Sequence, residues 1–176
     1  ITVTDNTNLD FEATASYTLT LTVEDDATNV STPETVTIDI NDVNDVAPVI
    51  SASQVFNVNE NAINTTSLGT VLATDADGVS LANWTITAGN TDNIFSINPV
   101  SGEITVTDNT NLDFEATASY TLTLTVEDDA TNVSTPETVT IDINDVNDVA
   151  PVINVSQAFN VSEGVINHSK GDHQQG

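Results

Sequence analysis

The chain has no cysteine and no arginine, and one lysine is its only strong base. Without cysteine, neither disulfides nor thiolate metal sites can hold the fold. Twenty-seven acids against that lysine give a formal charge of -26 over 176 residues, with a further two histidines counted as neutral. Such a balance repels a nucleic-acid backbone and an anionic membrane, which excludes nucleic acid as a partner and makes cations the expected one. No apolar run reaches the ~18 residues of a membrane helix. The opening "ITVTDNT" has neither the basic nor the apolar region of a secretory leader, so the chain reads as an internal piece of something longer. Helix signals are missing as well. What is present is 38% apolar residues, enough for a modest core, with the acids interleaved among Val, Ile, Leu and Thr rather than gathered in a disordered block.

The organisation is set by a repeat. Residues Ile1 to Ile50 are identical to Ile104 to Ile153, and the match continues more loosely as "SASQVFNVNENAIN" from Ser51 against "NVSQAFNVSEGVIN" from Asn154. A period of this size is that of a domain, not of a solenoid turn. Residues 1–45 are expected to be the C-terminal part of one repeat, 46–148 a complete repeat, 149–167 the first strands of the next, and 168–176, "HSKGDHQQG", a non-repeat tail.

Inside the period, apolar residues alternate. In "YTLTLTVEDD", Tyr120, Leu122, Leu124 and Val126 fall on one face and Thr121, Thr123 and Thr125 on the other; Val139, Ile141 and Ile143 do the same in "TVTIDIND". Further short runs at Gly69, Trp84, Ile94 and Glu103 are bounded by Gly, Pro, Asn or Asp. About seven short antiparallel strands per period predict an all-β, Greek-key β-sandwich.

With the strands in place, five short motifs fall in one order: "NEN" at Asn59-Glu60-Asn61, "DAD" at Asp75-Ala76-Asp77, "LDFE" at Leu112 to Glu115, Asp128 eight residues after Tyr120, and "DVND" with Pro151. In this order they resemble the xEN, DAD, LDRE, strand-F acid and DxNDNxP signatures of the cadherin repeat, and the resemblance covers nearly the whole chain. It implies seven-stranded, immunoglobulin-like domains in tandem, with strands A, A′, B, C, D, E, F and G in residues 46–148 and E, F and G in the opening fragment. Departures accompany it. Phe114 replaces the Arg of LDRE, Val149 and Val46 replace the second Asn of DxNDNxP, and the Gly-x-Asn expected after DAD is not cleanly present, with Gly78 early and Asn83 late. Trp84 sits at the strand C aromatic position and is expected in the core.

The resemblance further implies Ca2+ between consecutive repeats, a hard cation that takes ~6 to 8 oxygen ligands. Its ligands at the first joint would be Asp10 and Glu12, then Asp42, Asn44 and Asp45 of the hinge, then Asp75, Asp77 and Asp128. At the second joint they would be Glu60, Asp113, Glu115, Asp145, Asn147 and Asp148. Electrostatics ask for the same counter-charge without the family, since residues 46–148 hold fifteen acids and no base. Two carboxylates ~4 Å apart repel by roughly 4 kcal/mol at an effective dielectric near 20.

Other acids read as solvated surface: Asp5, Asp26, Asp39, Asp92, Asp108, Asp129 and Asp142. The pair Asp113 and Glu115 has the makings of a glycosidase dyad, but no His, Arg or Tyr cluster accompanies it, and no enzymatic activity is expected. His168 and His173 stand in the tail outside any strand pattern. Asn29, Asn83 and Asn132 head Asn-x-Ser/Thr triplets, which Thr- and Asn-rich sequences also produce by chance. The expectation is a calcium-stiffened module of a large, bacterial-type surface adhesin, extracellular or at the cell surface. Its partners would be calcium, other repeats of the same or neighbouring chains, and cell-surface or matrix polysaccharide. A carbohydrate-binding accessory module of a secreted polysaccharidase is the alternative, which a row of exposed aromatics would favour. The sequence shows no such row.

Overall fold

A computed structural model of the chain describes residues 1–160 and 163. The chain forms two compact units, Ile1–Val146 and Asn147–Gly176. The described part of the second unit has no strand, and its apolar side chains are exposed. His168, His173 and the tail lie outside the described residues.

In the first unit, eleven strands follow one another: β1 (Ser16–Leu21), β2 (Glu34–Asp39), β3 (Val49–Ile50), β4 (Gln54–Asn59), β5 (Ser67–Thr70), β6 (Ala73–Thr74), β7 (Ala82–Ala88), β8 (Phe95–Ile97), β9 (Glu103–Val106), β10 (Ser119–Glu127) and β11 (Glu137–Asn144). One sheet runs β4-β11-β10-β7; the other contains β5-β9-β8, with β3 paired to β6 beside it. The two inner faces enclose Trp84, Phe95, Ile104, Leu122, Leu124 and Ile141, all buried. Alternation does this work directly. Val139, Ile141 and Ile143 are buried while Asn144 is exposed and Thr140 and Asp142 are half-exposed.

One pairing differs from the antiparallel expectation. β4 lies parallel to β11, from Gln54 beside Val139 to Asn59 beside Asn144. The cause is a change of sheet: the chain leaves β3, which pairs with β6, turns through Ser53 at φ 60°, and joins the opposite sheet without reversing. Gln54 pins the crossing, its side-chain amide donating to the Ser51 and Leu72 carbonyls and its Oε1 accepting the Leu72 N–H. Trp84 is in the core as expected, and Gly102, at φ 70°, leaves room for it.

The identical segments behave differently in their two settings. β1 and β2 pair in the same register as the corresponding parts of β10 and β11, Tyr17 with Ile38 as Tyr120 with Ile141. Both strands of the second copy start at the equivalent residue but run further at their C-terminal ends, because β10 continues along β7 and β11 continues along β4. Leu122, Leu124 and Val139 are at most 1% exposed, whereas Leu19, Leu21 and Val36 are 36%, 43% and 37% exposed. Local turns are unaffected by this. Thr28 and Thr131 both take φ 69°, held in each case by an Asp whose carboxylate accepts from an Asn four residues on.

Candidate metal centre

The Asp75-Ala76-Asp77 turn directly follows β6. Asp75 Oδ1 accepts the Asp77 N–H at 2.9 Å, the usual Asx-turn bond. Asp77 Oδ2 accepts the hinge N–H of Val46 at 3.0 Å. The remaining oxygen of each side chain, Asp75 Oδ2 and Asp77 Oδ1, is buried and accepts no hydrogen bond. Buried polar atoms are nearly always paired, and an anionic one without a donor is costly. Two such oxygens on one turn suit a cation.

Other carboxylates converge there. One oxygen each from Glu12, Asp42 and Asp77 lie within 4.8 Å of one another. The Glu12 carboxyl stands above its ordinary value: its own backbone N–H pulls it down, but desolvation, a hydrogen bond with Asp77 and repulsion from Asp77 and Asp42 outweigh that. The set is all oxygen, with no imidazole or thiolate, which is the chemistry of calcium rather than of zinc or copper.

Asp128 closes β10 and is buried. Desolvation pushes its carboxyl up, but bonds from the Asn132 side chain and N–H, from the Ala130 N–H and from Asn44 bring it below the ordinary value. Asn132 Nδ2 donates to Asp128 Oδ2 at 2.8 Å and reaches Asn44 Oδ1 at 3.3 Å, so this loop grips the hinge. Asn44 in turn donates to Asp129 at 2.5 Å. Asp129 and Asn132 were not among the expected site residues. The signal available for them was the turn itself, an Asp-Asp-Ala-Thr-Asn run leaving a strand end. Asp10 and Asp45 are exposed and stand outside the Glu12 group; Asp10 caps its own loop through the Ala13 N–H.

At the other end of the sandwich Glu60 is 6% exposed. Its Oε2 accepts the Phe114 N–H at 2.7 Å and its Oε1 the Val146 N–H at 2.6 Å, tying β4 to the LDFE turn and to the hinge. Glu60 and Glu115 bring carboxylate oxygens within 4.8 Å. Phe114, standing where the signature has Arg, is half-buried and packs on the core. Asp113 accepts the Ala116 N–H, as Asp10 does from Ala13, and Asp145 is exposed. Asn147 and Asp148 belong to the second unit and are both exposed.

The family model described as Cadherin domain matches residues 54–144, just over half of the chain. The chain belongs to the cadherin family. Human Protocadherin Fat 1 is 41% identical over 151 residues, covering 82% of this chain and 3% of the relative. Protein dachsous of Drosophila melanogaster is 37% identical over 158 residues, covering 84% and 4%. The solved protocadherin gammaB7 EC3-6 cis-dimer structure aligns with TM-score 0.62 at 28% identity, covering 85% of this chain and 37% of that one. This cadherin chain thus spans between 3% and 13% of the length of the curated relatives it matches. Its immunoglobulin-like sandwich is that of cadherin ectodomains, while the bacterial-type origin expected from composition is not borne out, since these cadherin relatives are animal proteins.

Proposed function

We propose that this chain is a calcium-binding stretch of tandem cadherin repeats in an extracellular, cell-surface adhesion protein, acting as a stiff spacer and contact surface and not as an enzyme. The observation that carries this reading is the pair of buried, unanswered carboxylate oxygens on Asp75 and Asp77, with Glu12 and Asp42 converging on Asp77. Calcium bound there supplies positive charge and several coordination positions. The residues do the rest: Asp77 holds the hinge by its Val46 N–H, Asn132 and Asn44 orient Asp128 and Asp129, and Glu60 performs the same anchoring for Val146. Within the first unit Glu60, Asp113, Glu115 and Asp145 form the second candidate set, and Asp10 and Asp45 are assigned to the first by the family pattern alone.

Adhesion through other repeats, of the same or a neighbouring chain, follows from family membership and from the cis-dimer named for the gammaB7 protocadherin. The polysaccharide-binding alternative is not favoured, because Trp84 and Phe95 are buried in the core instead of standing in an exposed row. Thermal melts and small-angle scattering in excess calcium and in EGTA test the proposal. A higher melting temperature and a narrower distribution of shapes in calcium support it; identical melts and scattering in both would falsify it.

A further inference from the structure

Four Asn-x-Ser/Thr triplets, the acceptor pattern for N-linked glycans, lie in the first unit, headed by Asn29, Asn64, Asn83 and Asn132. The fold treats their amides unequally. Asn132 is half-buried, and its Nδ2 donates to Asp128 Oδ2 at 2.8 Å and to Asn44 Oδ1 at 3.3 Å, inside the grip between the β10 loop and the hinge. Asn29 gives its Nδ2 to both carboxylate oxygens of Asp25, at 3.2 and 2.9 Å. Asn83 gives its own to Glu127 Oε2 at 2.8 Å, and the middle residue of its triplet is the buried Trp84. A sugar on any of these three nitrogens replaces an N–H with a bulky group and competes with a bond to a carboxylate, the stronger kind of hydrogen bond.

Asn64 differs. It is exposed, in the turn that joins β4 to β5, where Thr65 takes φ 72° and the Thr66 N–H returns to the Ile63 carbonyl at 3.1 Å. Its Oδ1 accepts the Asn109 N–H at 3.0 Å, and Asn109 Nδ2 donates to the Ala62 carbonyl at 2.9 Å, so the amide is held through its oxygen. Its Nδ2 has no hydrogen-bond partner among the described residues. Beside the same turn lies an open hollow of about 320 Å³, lined chiefly by Asn57, Asn59, Asn61, Ala62, Thr66 and Asn144. Amide and hydroxyl groups of this kind supply both donors and acceptors, which is what the hydroxyl and acetamido groups of a sugar require.

We infer that Asn64 is an N-glycosylation site, carrying on its Nδ2 an oligosaccharide that begins with an N-acetylhexosamine, and that Asn132 carries none in the folded protein. The inference rests on the cell-surface reading, because this modification belongs to surface loops of secreted chains. In the step itself a bond forms between Asn64 Nδ2 and the anomeric carbon of the sugar, and the bond from that carbon to the diphosphate of a lipid carrier breaks. The lipid diphosphate leaves with the bonding electrons, and one amide proton passes to a base of the transferring enzyme. Thr66 completes the acceptor triplet; once folded, its hydroxyl turns to the Ile63 carbonyl at 2.7 Å. Transfer does not wait for folding, so the fold decides which glycosylated chains are recovered. A glycan on Asn64 leaves the Asn109 bond in place, whereas one on Asn132 opens the grip on the hinge.

Secretion of the full chain from animal cells behind an added leader tests this, with peptide mass spectrometry before and after enzymatic glycan release reading the occupancy of each asparagine. Asn64 should be occupied in most molecules and Asn132 in almost none. Asn64→Gln and Thr66→Ala should each remove the mass of one glycan from the intact protein, Thr66→Ser should keep it, and Asn132→Gln should leave the glycan mass unchanged. Because the leader forces secretion, an empty site reports on Asn64 and not on where the chain resides. An empty Asn64, or a glycan on Asn132 as frequent as that on Asn64 in folded molecules, overturns the proposal. An empty Asn64 in a chain whose melting is still raised by calcium does so while leaving the calcium reading intact; a filled Asn64 in a chain indifferent to calcium supports the site and removes that reading.

Discussion

Asp77 divides its carboxylate between two duties, one oxygen on the Val46 N–H and the other buried without a donor. Asp77→Asn keeps an oxygen for the hinge and removes the charge. It should weaken calcium binding at least about tenfold, read by calorimetry, while in EGTA the melting temperature stays level or rises because Glu12 and Asp42 lose a repelling neighbour. Asp108 titrates in the opposite sense from Glu12. The side-chain hydroxyl and then the N–H of Thr110 lower its carboxyl below the ordinary 3.8. A lowered acid contributes stability that is present above 3.8 and disappears as the pH falls through the folded value. Thr110→Val should move the Asp108 titration back toward 3.8 in an NMR pH series and make acid unfolding less steep at the low end. Gly102 has φ 70°, and a Cβ there would meet the Trp84 ring at 2.9 Å. Gly102→Ala should therefore destabilise by more than about 1 kcal/mol in denaturant melts.

Among the elements, the same fifty residues appear twice and isolate what neighbours contribute. Leu122→Ala, in a fully covered position of β10, should cost about 2–5 kcal/mol. Leu19→Ala, at the same place in β1 but 36% exposed, should cost well under half of that in the same denaturant titration. Hydrogen exchange should likewise protect the amides of Leu122 to Val126 far more than those of Leu19 to Leu21. These strands were legible in the sequence because period-two alternation is a property of each segment alone. The parallel β4–β11 pairing was not, because it depends on a crossing at Ser53 and on Gln54 bonds to Leu72, which no local pattern encodes. Motif order pointed to Asp75, Asp77, Glu12 and Asp42. Asp129 and Asn132 escaped because their role arises only where the Asp128 loop meets the hinge.

For the whole molecule, a charge of -26 with one lysine opposes compaction by self-repulsion. Monovalent salt screens that charge over about 8–10 Å near physiological strength, but it cannot answer buried carboxylate oxygens that accept no hydrogen bond. The central claim is therefore a specific one, that Asp75 and Asp77 bind calcium and do not merely share in a diffuse negative field. Calorimetric titration of the chain with calcium at fixed ionic strength, beside the Asp75→Asn, Asp77→Asn double variant, tests it most directly. Saturable binding by the parent chain, lost at the first joint in the variant while the EGTA melt is retained, is the result the account predicts; no saturable heat, or the same titration curve for both chains, would contradict it.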